Sequence, residues 1–130
     1  MVLVMSLSTA QGVEMPPCPA SPNCVSSQST DSHRIEPLLV QGDPDAAFTA
    51  LQRVLSERSD ARLTVINRDV MQVEFRTFLG FVDDGLFVLD RIRQVIQVRS
   101  AARLGYWDLG KNRRRIEEIR QKYNNAMRRP

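Results

Sequence analysis

The stretch Val70-Met71-Gln72-Val73-Glu74-Phe75-Arg76-Thr77-Phe78-Leu79 decides the fold of this chain. Met71, Val73, Phe75 and Leu79 alternate with Gln72, Glu74 and Arg76. That period of two puts apolar side chains on one face of a strand and polar ones on the other. Such a strand needs neighbours along its edges and a layer over its apolar face.

The neighbours flank it in sequence. Arg62 to Asn67 reads as the strand before it, joined through Asn67-Arg68-Asp69, and Gly85 to Asp90 and Gln94 to Ser100 read as strands after it. Asp83-Asp84-Gly85 and Asp90-Arg91-Ile92-Arg93 are the expected turns between them. Four strands with short links favour an antiparallel meander. A further short strand is expected from Ile35, Leu38, Leu39 and Val40, leaving through Gln41-Gly42.

Two helices supply the covering layer. Asp43 is a capping residue and Pro44 suits the first helical position, after which Ala47, Phe48, Leu51, Val54 and Leu55 recur on one face, so a helix is expected over Pro44 to Arg58. The last helix is expected to start from Asp108 as N-cap and to lay Ile116, Ile119, Tyr123 and Met127 against the sheet. The order β-α-β-β-β-β-α predicts a single α+β domain, an antiparallel sheet of four or five strands with both helices on one face.

The domain is expected to span residues 35–130. Residues 18–34 read as a Pro- and Ser-rich leader carrying Cys18 and Cys24, and residues 1–17 as a disordered terminus or the remnant of a signal segment. Met1 to Ala10 looks like the apolar part of a secretory signal, with small residues Ser8-Thr9-Ala10 before a cut, but it has no positive residue ahead of it. No stretch approaches the roughly 18 apolar residues needed to cross a bilayer. Cys18 and Cys24 bracket Pro-Ala-Ser-Pro-Asn; the spacing leaves open whether the pair closes a disulfide in an oxidising compartment, and in a reducing one it stays as thiols.

The net charge of +3 conceals an asymmetry: residues 1–90 hold 6 Arg against 12 acidic residues, residues 91–130 hold 12 Lys and Arg against 3. The excess centres on the block Arg99 to Arg115, which runs across a junction between strand and helix. Cations in the first turn of a helix oppose its dipole, so an anion should stand nearby. The internal candidates are Asp83 and Asp84 as ion-pair partners, with Glu117 and Glu118 four residues beyond Arg113 and Arg114. The external reading makes Arg99, Ser100, Arg103, Tyr106, Asn112 and Arg113 a cradle for an anionic small molecule or an acidic protein surface. An anionic membrane surface is a weaker alternative, since the last helix needs its apolar face for the sheet, and nucleic acid is disfavoured because no recognition motif accompanies the charge.

Catalytic signals are thin. His33 is the single histidine, and with Cys18 and Cys24 it lacks a fourth ligand for zinc. No phosphate loop, dinucleotide fingerprint or nucleophile elbow occurs, so no catalytic residue, metal or cofactor is assigned. Three classes stay in competition: a non-enzymatic binding domain, an enzyme using Asp83 or Asp84 as base with arginines as clamp, and a structural or assembly module.

Three segments together carry a family resemblance: Cys18-Pro19-Ala20-Ser21-Pro22-Asn23-Cys24-Val25-Ser26-Ser27, Gly80-Phe81-Val82-Asp83-Asp84, and the block Arg99 to Arg115. In this order and spacing the chain resembles the domain of unknown function family 1499. Ala102 and Trp107 stand where that pattern leads one to expect serines. The resemblance implies no reaction. Because members often carry an N-terminal signal or anchor, it implies a periplasmic or envelope-associated location over a cytoplasmic one, and with it the Cys18–Cys24 disulfide.

Overall fold

The computed structural model describes residues 7–8 and 12–128. Most of the signal-like start, residues 1–6 and 9–11, lies outside them. The described elements are strands β1 (Leu7–Ser8), β2 (Gly12–Val13), β3 (Cys24–Ser26) and β4 (Leu38–Leu39), helix α1 (Pro44–Ser56), strands β5 (Ala61–Ile66), β6 (Val70–Arg76), β7 (Val82–Asp90) and β8 (Val95–Ala102), and helix α2 (Lys111–Arg128). β1 and β2 form a two-stranded ribbon; the main sheet has six strands in the order β3-β8-β7-β6-β5, with β4 also pairing with β8. Every pairing between these strands is antiparallel. The chain is thus an α+β domain with an antiparallel meander, β5 to β8, at its centre.

Three details differ from the sequence reading. The sheet gains β3 from the leader, a strand whose three residues are all buried against β8; a polar, proline-rich stretch hides such a strand because pairing and not apolar content places it. Second, Asp83 and Asp84 lie inside β7 and pair with β6 and β8, so they form no turn. The turn is Thr77 to Phe81, closed by the Gly80 N–H donating to the Thr77 carbonyl at 2.9 Å, with Gly80 at φ 87° where a side chain would be strained. Third, β6 ends at Arg76 and Leu79 is exposed at that turn instead of facing the core.

Both helices cover one face of the sheet. Phe48, Leu51 and Leu55 of α1 and Ile116, Ile119 and Tyr123 of α2 enclose Met71, Phe75, Phe87, Ile96 and Val98 from the strands. The Asp43 carboxylate takes the N–H groups of Asp45 and Ala46, both at 3.3 Å, and so caps α1. Asp108 caps α2 from just ahead of its first residue, accepting from the N–H of Gly110 at 2.9 Å and of Asn112 at 3.1 Å. On the opposite face Val13 and Met15 pack on Val70 and Val88, and Gln97 donates to buried Asp90 at 3.0 Å, so that face is part covered.

α2 also binds the leader and the residues just after it, through side-chain donors. Asn112 reaches the carbonyl of Asn23, Arg113 those of Ser32 and Arg34, Arg120 those of Glu36 and Pro37, and the Tyr123 hydroxyl that of Leu39 at 2.7 Å. An irregular segment has carbonyls that no ladder satisfies, and these side chains satisfy them. Burial pushes the Tyr123 hydroxyl up to about 12, so it remains a donor at neutral pH.

The leader is closed on itself by the Cys18–Cys24 disulfide, with Cα atoms 5.8 Å apart. His33 lies beside it, Nδ1 at 2.8 Å from the Asp31 carboxylate and Nε2 at 2.9 Å from the Ser21 carbonyl. Both partners are acceptors only, which suits the imidazolium with a proton on each nitrogen. The Ser21 carbonyl first, then Asp31, raises the His33 pKa, against burial and the nearby Arg113 charge.

Two outcomes are expected of this leader. Replacing both cysteines by serine should lower the unfolding free energy by about 2 kcal/mol, the loop-closure value for so short a ring, as read by urea denaturation. Because the His33 pKa is raised on folding, its stabilising contribution is complete below the unfolded value of 6.5 and is lost as pH rises through the folded value. H33N should therefore remove a fall in stability that sets in above pH 6.5, and an unchanged pH profile would show that folding does not shift the titration of the imidazole.

Candidate functional site

Arg115 marks the centre of the charged cluster. It is 5% exposed, with its guanidinium 4.7 Å above the centre of the Phe75 ring. Nη1 donates to Asp83 at 2.8 Å and Nε lies 3.5 Å from Asp60. Phe75 occupies that position because Gly85 has no side chain: a Cβ there would stand 2.5 Å from the ring. The same network continues through Asn112, which accepts from the Ser100 hydroxyl at 2.6 Å and from Arg115 at 3.3 Å. On the other side Arg58 grips Asp60 with two hydrogen bonds, at 2.9 and 3.0 Å, and reaches Glu118 at 3.1 Å. Burial acts to raise the Asp60 pKa, yet the Arg58 hydrogen bonds and the charges of Arg58 and Arg115 outweigh it and hold the carboxyl below its ordinary value.

The six candidate ligand residues are divided among separate surroundings. Alternation along β8 sends Ser100 into the core beside Asn112 and turns Arg99 and Arg103 to the opposite face. Arg103 there meets Asp84 at 2.7 Å and Glu74 at 3.2 Å. Arg99 donates to the Pro17 carbonyl at 3.2 Å, while its buried Nε has no partner; burial lowers its pKa, opposed by the Asp84 charge. Arg113 is engaged with the leader carbonyls, and Tyr106 is exposed in the loop before α2. Asp83 and Asp84 point to opposite faces, each on its own arginine. Glu117 pairs with Arg120 at 2.8 Å and Glu118 with Arg58, so the expected pairs with Arg113 and Arg114 do not form.

Once these pairs are made, a basic cleft remains between the β6–β7 turn and the start of α2. It measures about 360 Å³, and its lining includes Arg76, Phe78, Lys111 and Arg114. Arg76, Lys111 and Arg114 are exposed. Arg114 donates to the Leu109 carbonyl at 2.5 Å, and among the described residues none of the three has an acidic partner. Arg76 and Phe78 escaped the sequence reading because the strand seemed to run to Leu79. The signal was the break in alternation at Thr77-Phe78-Leu79, followed by Gly80.

Among the described residues, no group of three or more His, Cys, Asp or Glu is placed to hold a metal. No helix there is long and apolar enough to cross a membrane. A family model described as protein of unknown function (DUF1499) matches residues 14–123, and the chain belongs to that family. No curated protein and no solved structure was found to match it.

Arg115→Met should cost about 3–5 kcal/mol, because it leaves Asp83 buried without its counter-charge. The double variant R115M/D83L should lose less than the sum of the two single changes, by about 1–3 kcal/mol in a denaturation cycle. Strict additivity would show that the two charges do not depend on one another.

Proposed function

We propose that this DUF1499 domain is a non-enzymatic binding module that works outside the cytoplasm and holds anionic groups in the cleft between the β6–β7 turn and α2. The observation that carries this reading is the set Arg76, Lys111 and Arg114, cations gathered on one cleft with no acidic partner among the described residues. The other charges lining the cleft are already engaged: Arg58 and Arg115 are held by Asp60, Glu118 and Asp83. The three remaining cations therefore set the local potential, and guanidinium groups pair well with phosphate or carboxylate.

The depression on the opposite face, about 320 Å³ and lined by Arg99 and Arg103, is a poorer candidate because Glu74 and Asp84 balance its arginines. Location outside the cytoplasm is supported by the Cys18–Cys24 disulfide, a bond that reducing compartments do not maintain.

Pyrophosphate serves as the test anion. Bound at a hundredfold excess over its dissociation constant, it should add about 2.7 kcal/mol to the unfolding free energy. R76E/K111E/R114E should abolish that gain, while R99A/R103A should leave it in place. A gain that survives in the first variant and disappears in the second would move the site to the opposite face; no gain in the unmodified protein would end the reading.

A further inference from the structure

We propose that the anionic partner of this cleft is a bilayer surface, on which the domain stands end-on with two apolar loops among the lipid headgroups. The proposal rests on the anion-binding reading above and goes further, naming the partner and the residues that enter it.

Sheet pairing brings the two loops to one end. Asp83 pairs with Ala102, and the Arg103 N–H donates to the Val82 carbonyl at 3.0 Å, so the turn before β7 and the loop after β8 leave the sheet side by side. The first presents Phe78, Leu79 and Phe81 to solvent, with Phe78 fully exposed. The second presents Leu104, Tyr106, Trp107 and Leu109, each about two thirds or more exposed. At the other end, the turns Asn67-Arg68-Asp69 and Arg91-Ile92-Arg93-Gln94 carry one exposed large hydrophobic residue, Ile92, with Ile66 and Leu39 exposed on the strands beside them. A contiguous apolar patch of this kind is rare on a free soluble surface and marks contact with something apolar.

The layering of charge identifies that contact as a membrane. Arg76 immediately precedes the first loop, and Lys111 immediately follows the second, with Arg114 one turn further into α2. The apolar side chains therefore form the tips, and the unpaired cations stand behind them, at the depth where lipid phosphates would lie. Phe, Trp and Tyr next to Lys and Arg is the composition that partitions into the headgroup boundary of anionic bilayers. The single acid in either loop, Asp108, is turned inward, taking the N–H groups of Gly110 and Asn112. Leu109 is also held at φ 57°, in the left-handed region that a leucine seldom adopts. Its side chain is about two thirds exposed, so this strained position presents an apolar group to solvent.

The chain reports on its own insertion, since Trp107 is its one tryptophan and is 67% exposed. The full chain should sediment with phosphatidylcholine vesicles containing phosphatidylglycerol and not with pure phosphatidylcholine. Trp107 emission should shift to shorter wavelength and be quenched by lipids brominated near the headgroup. L79S/L104S should lower partitioning at least about tenfold, the loss expected from removing two buried apolar side chains, while keeping pyrophosphate stabilisation and an unchanged far-ultraviolet spectrum. The variant and the unmodified chain both retain Met1 to Ala10, so that segment contributes equally to each.

Pyrophosphate binding without vesicle binding would overturn the membrane proposal and leave a soluble anion or an acidic protein as partner. Vesicle binding unaffected by L79S/L104S, with Trp107 unshifted, would also overturn it, since adsorption would then be electrostatic alone. Loss of both pyrophosphate and vesicle binding would end the anion-binding reading as well.

Discussion

The fold depends on one desolvated cation. Arg115, from the first turns of α2, is pressed onto the Phe75 ring and shut in with Asp83. A guanidinium taken out of water destabilises a protein unless its partners are fixed, and here they come from distinct elements: Asp83 from β7, Asp60 from the link between α1 and β5, and Asn112 from α2 itself. The arrangement therefore demands a register as well as a composition. If β7 slipped by one residue, Asp83 would face the wrong side of the sheet and Gly85 would no longer clear space for Phe75. This is the sense in which a buried ion pair specifies a structure, whatever its net contribution to stability.

The same helix performs a second task with its hydrogen-bond donors. Arg113, Arg120, Asn112 and Tyr123 take up carbonyls along residues 23 to 39, a stretch whose own backbone bonding is limited to the short β3 and β4 and a few turn contacts. The disulfide shortens the unfolded reach of that stretch, and the contacts of His33 with Asp31 and Ser21 hold the far side of the ring. Leader and domain are thus one unit, tied by hydrogen bonds more than by apolar contact.

Function follows from what these two tasks leave over. A basic block that looked uniform divides into a buried pair, a leader clamp, an ion-paired surface arginine and a few cations with no acidic partner among the described residues. Those few stand at the end of the sheet where the long loop after β8 meets the β6–β7 turn, and the loops place exposed aromatic and aliphatic residues in front of them. Charge set behind apolar tips is an arrangement that a folded core does not require, which is why the end of the molecule and not its sheet face draws the functional reading.

The amino-acid order by itself determined the elements and their layers. Alternation in Met71, Val73 and Phe75, the apolar stripes of Phe48, Leu51 and Leu55 and of Ile116, Ile119 and Tyr123, and the caps Asp43 and Asp108 are local signals, each legible within a few residues. The meander with both helices on one face follows from them. Only the tertiary structure decided which charge meets which. Asp83 and Asp84 are neighbours in sequence yet face opposite sides of the sheet, Arg99 and Arg113 are parted by the turn into α2, and Arg76 joins Lys111 and Arg114 from 35 residues earlier in the chain. Strand β3 was hidden for the same reason, since β8 and not its own composition makes it a strand. Periodicity reports a residue's face; partners across the chain depend on register and helix placement, which no local pattern contains.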